Sequence, residues 1–134
     1  MNPAKRAAME LSTLRDKIRT VNNIQKRMSV LDDYIEAEKQ PAHLYAKSDV
    51  ISMKEQLAKD LAAYQNEVQM IKEGLAQLEP EQQFILNAFY MMYHKHSGEA
   101  LEYLCTELRM NERSVWDKKK EALNRYAQLQ GLTK

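Results

Sequence analysis

Glycine and proline are scarce in this sequence, which has three of each among its 134 residues. No run alternates apolar β-branched residues with polar ones, which is the pattern of a half-buried strand. Hydrophobic residues make up 44% of the chain and charged residues 29%, a composition typical of a folded protein rather than a disordered one. The sequence therefore predicts an all-α fold.

Cysteine and long apolar runs are scarce as well. Cys105 is the single cysteine, so no disulfide can form within the chain. No apolar stretch approaches the roughly 20 residues that cross a bilayer, and the N-terminus lacks the apolar core of a signal peptide. We expect a cytoplasmic protein that does not contact a membrane.

Sequence motifs of catalysis and metal binding are missing too. The chain has no glycine-rich phosphate loop, no nucleophile elbow and no paired cysteine motif. His94 and His96 have no cysteine, aspartate or third histidine near them in the sequence and so make a poor metal site. We therefore predict that the protein is not an enzyme and binds neither a cofactor nor a metal ion.

Two long stripes of apolar residues occupy the first half of the sequence. One runs from Leu11 to Ile35 and the other from Val50 to Leu78, mostly at intervals of three or four residues. Pro41 separates them, which indicates a short loop. The pattern predicts a coiled-coil-like antiparallel helical hairpin over residues 1–77, whose first helix has about 30 residues.

A hairpin of two narrow stripes buries one seam and leaves apolar residues such as Met53 and Met70 at its flanks. These residues either pack on the rest of the chain or join two copies, and we favour a homodimer. The residues assigned to self-association are Leu14, Ile18, Val21, Leu57, Leu61, Tyr64 and Val68.

Two shorter amphipathic patterns meet at an Arg-Met-Asn break near the end of the chain. The first covers residues 101–108, where Cys105 offers a small side chain for a close helix crossing. The second begins at Asn111, a good N-cap residue, and places Val115, Ala122 and Leu123 on one face. Such a pair is typical of a helix-turn-helix, whose second helix can enter the major groove of DNA.

Charge is separated along the chain although the net charge is only +1. Residues 109–134 include seven basic and three acidic side chains, whereas residues 79–108 include one lysine and five glutamates. A basic segment on the second helix of the pair favours nucleic-acid binding. The first 31 residues hold seven basic and two acidic side chains, which form either a solvated helix face or a further phosphate contact.

A longer motif surrounds this helix pair. It consists of Leu-x-Pro-Glu-Gln-Gln at residues 78–83, Ile85-Leu86 with Phe89-Tyr90, then Glu112-Arg113-Ser114-Val115, and Lys119 to Leu123. Over residues 78–130 the chain resembles region 4 of sigma factors, and in particular small phage regulators of the ArpU and RinA type. The resemblance implies a DNA-binding helix-turn-helix domain at residues 78–134.

Two positions depart from that motif. Lys119 lies in the apolar arc where sigma-like domains often carry an aliphatic residue, so we expect its stem to follow the core and its ammonium group to reach solvent. Arg109 stands near the turn, where many such motifs use glycine.

A helical wheel of the second helix divides its polar residues between two roles on DNA. The first turns of a recognition helix face the base edges, and basic residues farther along meet phosphates. We assign base readout to Asn111, Glu112, Arg113, Ser114 and Asp117, and phosphate contacts to Arg109, Lys118, Lys120 and Arg125. Trp116 borders the apolar arc, and we favour packing on the helix that begins near Phe84 over a role on DNA.

Two functions fit these patterns. The first is a phage or prophage transcriptional regulator that binds promoter or operator duplex DNA and uses the hairpin to dimerise or to contact RNA polymerase. The second is a phage assembly or packaging protein, such as a small terminase or a scaffold component, that oligomerises through the hairpin. Small terminases typically place the DNA-binding part first, and the reverse order here favours the regulator.

Overall fold

The computed structural model describes residues 2–36, 47–92, 96 and 98–132. These residues form helices and no strand, so the all-α prediction is confirmed for them. The helices are α1 (Pro3–Ser12), α2 (Leu14–Glu36), α3 (Lys47–Ala76), α4 (Pro80–Tyr90), α5 (Glu99–Leu108) and α6 (Glu112–Leu129). Throughout the described ranges, every helix is too short or too polar to span a bilayer. The predicted loop at Pro41 and the side chain of His94 lie outside the described residues.

The first helix predicted from the stripe Leu11 to Ile35 is long but bent, and the structure divides it at Thr13 into α1 and α2. The Thr13 hydroxyl donates a hydrogen bond of 2.7 Å to the carbonyl oxygen of Glu10. A hydroxyl that bonds to the preceding turn competes with the helical N–H groups for that carbonyl. The stripe is therefore divided between α1 and α2.

The chain forms two compact units. The first unit comprises Met1–Arg15 and Met70–Lys134, and the second comprises Asp16–Gln69. Within the first unit α1 packs against α6, with Ala7 and Leu11 fully buried. The short α1 thus covers part of α6.

Tyr126 links three helices of the first unit through its hydroxyl group. The hydroxyl donates to Glu10 Oε1 of α1 over 2.8 Å and accepts from Gln130 Nε2 over 3.2 Å. Gln130 Nε2 also donates to the carbonyl oxygen of Met70 in α3, 2.7 Å away. The Tyr126 side chain is fully buried, and this burial raises the pKa of its hydroxyl.

We expect Tyr126→Phe to lower the free energy of unfolding by about 1–2 kcal/mol, because it removes a buried hydrogen bond to a carboxylate. Because the pKa of Tyr126 is raised, the difference in unfolding free energy between the unsubstituted protein and Tyr126→Phe also depends on pH. The folded state keeps the Tyr126 proton, which the unfolded chain releases above about pH 10. The contribution of the Tyr126 hydroxyl to the free energy of unfolding is therefore complete below that pH and is progressively lost above it. Denaturant titrations should show the unsubstituted protein losing about 1.4 kcal/mol per pH unit more than the variant above about pH 10.

Tyr103→Phe is the matched control for this prediction, since Tyr103 lies half-buried on α5. The pH profile of Tyr103→Phe gives the effect of removing a different tyrosine hydroxyl from the same unit, and the profile of Tyr126→Phe is compared with it. Parallel profiles for the unsubstituted protein and Tyr126→Phe would show that Tyr126 does not hold the extra proton.

The second unit pairs its α2 and α3 segments in antiparallel orientation. Lys17 Nζ lies 3.4 Å from Glu67 Oε2 near one end, and Lys54 forms an ion pair with Asp32 near the other. Exposed ion pairs contribute at most about 1 kcal/mol each. The apolar seam between the helices therefore provides most of their attraction.

The residues predicted to join two copies are mostly covered within a single chain. Leu14, Leu57 and Val68 are buried, Ile18, Val21 and Leu61 are half-buried, and Tyr64 is exposed. A side chain already covered in the monomer offers little area to a second copy. Besides Tyr64, the exposed large apolar side chains among the described residues of the second unit are Val30, Ile51 and Met53.

Candidate nucleic-acid interface

Helices α4, α5 and α6 pack around one apolar cluster. Its buried members are Ile85 and Ala88 from α4, Leu104 from α5 and Val115 from α6. Cys105 is partly buried against the same cluster, as expected for a small side chain at a helix crossing. The cluster fixes which face of α6 points inward and which remains exposed.

The two helix starts predicted in this part of the chain are confirmed. Helix α4 has Pro80 in its first turn, and the backbone N–H of Glu79 donates to Gln82 Oε1 over 3.2 Å. Helix α6 begins after Asn111, whose Oδ1 accepts a hydrogen bond of 2.8 Å from the backbone N–H of Ser114. Each start satisfies a backbone group that the helix itself leaves without a partner.

The turn between α5 and α6 takes three residues. Arg109 adopts a left-handed conformation with φ 53° and ψ 47°, and its N–H donates to the carbonyl oxygen of Cys105. The N–H of Met110 reaches the same oxygen over 3.2 Å. This conformation favours glycine and costs other residues about 1–2 kcal/mol. The turn therefore has the geometry that glycine usually supplies, although arginine occupies the position.

The residues assigned to base readout lie at the N-terminal half of α6. Glu112, Arg113 and Asp117 are exposed, and Ser114 is half-buried. Asn111 is exposed as well, but its Oδ1 is engaged in capping the helix. Arg113 and Asp117 are separated by one helical turn, so they share a face.

The three consecutive lysines of α6 have different surroundings. Lys118 Nζ lies 2.7 Å from Glu81 Oε1 of α4, and this hydrogen bond and charge raise the pKa of Lys118. Lys120 is exposed, as is Arg125, whose Nη1 donates to Gln128 Oε1 over 3.3 Å. Of the lysine run, Lys120 is thus the one exposed to solvent without a carboxylate partner in the described part of the chain.

Lys119 does not reach into open solvent as its position in the sequence suggested. Its Nζ lies 4.1 Å from the ring centroid of Phe89, 4.9 Å from that of Trp116 and 5.4 Å from that of Tyr90. Burial lowers the pKa of Lys119. The ring faces attract the ammonium group, which compensates for its partial loss of water.

Trp116 packs on α4 as expected, but with only part of its surface. Its ring stacks on Phe89 with centroids 5.6 Å apart and an interplanar angle of 28°, while 47% of the residue remains exposed. It lies one turn from both Arg113 and Lys120, on the exposed side of α6. The spacing of Arg113, Trp116 and Lys120 is visible in the sequence, but the preference for core packing of Trp116 left it out of the predicted site.

Exposed charges along α6 nearly cancel. The exposed basic residues are Arg113, Lys120 and Arg125, and the exposed acidic residues are Glu112, Asp117 and Glu121. The net charge of the segment therefore overstates the positive potential of this surface, because Lys118 is paired and Lys119 is covered by rings. Binding of a polyanion here depends on where the cations lie more than on their number.

Among the described residues, no group of three or more His, Cys, Asp or Glu side chains is placed to hold a metal ion. Comparison with family models, curated proteins and solved structures finds no significant match to the chain.

Proposed function

We propose that the protein is a sequence-specific DNA-binding regulator that places α6 in the major groove. The observation that carries this proposal is the position of α6 after a three-residue turn. One face is buried on α4 and α5, and the opposite face presents Arg113 and Asp117. An α-helix of this kind fits the major groove, which is about 12 Å wide. The resemblance to sigma region 4 supports the same use of the helix.

Base recognition rests on complementary groups on the exposed face. Arg113 offers the planar donor pair that matches O6 and N7 of guanine. Asp117, one turn farther along, offers an acceptor for the N4 amino group of cytosine. Glu112 lies beside them in the first turn, and Asn111 contributes by fixing the start of the helix.

Phosphate contacts come from the rim of the same surface. Lys120 and Arg125 are exposed on α6, and Arg109 is exposed at the turn. Lys118 reaches a phosphate by exchanging its bond to Glu81 for one to the backbone of DNA. Such contacts hold the helix in position and carry no sequence information.

We expect Lys120→Ala to weaken binding to all duplexes about equally and to make the dependence of log K on log salt shallower by about one. Anisotropy titrations with two unrelated duplexes at several salt concentrations measure both effects. Lys59→Ala, which removes an exposed lysine from α3, is the control and should leave the salt slope unchanged. A slope unaffected by Lys120→Ala would exclude this phosphate contact.

The second unit supports self-association through a surface that shares Leu57 with the residues first assigned and otherwise differs from them. Val30 and Met53 are 65% and 42% exposed and line a groove of about 250 Å³, whose other lining residues are Leu31, Leu57, Lys26 and Arg27. We propose that this apolar surface joins two copies, which doubles the DNA contacts. Light scattering at micromolar concentration should give twice the chain mass of 15.7 kDa. A mass of one chain would exclude the dimer.

The same apolar surface also fits the second candidate function, that of a phage assembly or packaging protein that oligomerises through the hairpin. That function predicts a larger ring or filament and no duplex binding even at low salt. Light scattering and anisotropy titrations of one preparation therefore distinguish the two candidates.

A further inference from the structure

We propose that Trp116 reads thymine in the DNA site, through contact of its exposed ring surface with the C5-methyl group. This inference rests on the proposed function, because it requires α6 to lie in the major groove. The thymine methyl is the one apolar group that base pairs present there, and apolar side chains recognise it.

The first support is exposure. Trp116 is 47% exposed, whereas the other large apolar residues of α6 are buried (Val115, Leu123 and Tyr126) or half-buried (Leu129). Tryptophan combines a large apolar surface with a single donor, so an open position on a reading helix favours apolar contact over a hydrogen-bonded one.

The second support is that the ring is held in place before any ligand binds. Stacking on Phe89 at 5.6 Å and the ammonium group of Lys119 at 4.9 Å restrain the indole from the protein side. A restrained side chain loses little conformational entropy on binding. The uncovered part of the ring is therefore a fixed apolar surface.

The third support is position. Arg113 and Trp116 are separated by about 4.5 Å along the helix axis, at 1.5 Å per residue. Base pairs follow one another every 3.4 Å or so. The thymine contacted by Trp116 should therefore lie within about two base pairs of the guanine contacted by Arg113.

Replacement of thymine by uracil tests this contact, because uracil differs only by the missing methyl group. Each thymine of a duplex selected by the full-length protein is replaced in turn, and binding is measured by anisotropy. We expect about a fourfold loss of affinity at one or two thymines near the guanine, the value of one buried methyl group. Trp116→Ala should remove that sensitivity, whereas Phe84→Ala, a control at another exposed aromatic residue, should retain it.

Trp116 is the only tryptophan of the chain, so its fluorescence provides a readout that needs no substitution. A bound duplex should shield it from acrylamide quenching. Tight binding with no uracil sensitivity, or with sensitivity that persists in Trp116→Ala, overturns the thymine contact and leaves DNA binding standing. Absence of duplex binding at low salt overturns both.

Discussion

Leu104→Ala is expected to lower the free energy of unfolding of the first unit by about 2–5 kcal/mol. Leu104 is fully buried at the point where α5 meets α4 and α6, so the substitution leaves a cavity between three helices. Because the same cluster orients α6, DNA binding should weaken together with stability. Denaturant titration followed by circular dichroism measures the first effect, and anisotropy with duplex DNA measures the second.

Met28→Ala is the matched control, since Met28 is half-buried on α2 in the second unit. It should cost clearly less stability and leave duplex binding unchanged. Equal losses for the two variants would show that the cluster around Leu104 does not anchor the C-terminal helices.

Arg113→Ala is expected to reduce affinity for a preferred duplex by about 1–3 kcal/mol, which corresponds to roughly 5–150-fold. The loss should be concentrated at a single base pair, because a bidentate arginine distinguishes guanine from the other bases. Competition titrations with duplexes that differ at one position measure this preference in the variant and in the unsubstituted protein.

Arg113→Lys separates charge from geometry at the same position. Lysine keeps the positive charge but lacks the planar donor pair, so base preference should fall while the salt slope stays unchanged. If Arg113→Ala weakens binding equally on all sequences, Arg113 contacts a phosphate and not a base.

Local patterns predicted the helices well. The start of α4 at Pro80 and the cap of α6 at Asn111 follow from side chains within one helical turn, so the sequence contains the information needed. The association of α1 with α6 does not follow in this way, because the stripe that includes Leu11 continues smoothly into α2. Periodicity shows that a residue is buried but not which helix covers it.

The surroundings of the site residues could not be predicted from the sequence, because they depend on contacts between residues that are far apart in the chain. Lys118 and Lys120 look equivalent in the sequence, yet Glu81, 37 residues away, pairs with Lys118 alone. The assignment of Trp116 to the core was correct about its contact with Phe89 and omitted its exposed half. The Arg-Met-Asn break predicted the position of the turn, but not the left-handed conformation of Arg109, because arginine rarely adopts it.

Selection of duplexes from a random pool, performed in parallel with the unsubstituted protein and Arg113→Ala, tests most directly whether α6 reads DNA sequence. DNA reading by α6 predicts that the unsubstituted protein enriches a short motif with guanine at one position, and that the variant loses preference at that position. Paired copies of the motif at a constant spacing would add support for the dimer. Sequence reading by α6 would be contradicted if the unsubstituted protein enriched no motif at low salt, or if Arg113→Ala enriched the same motif.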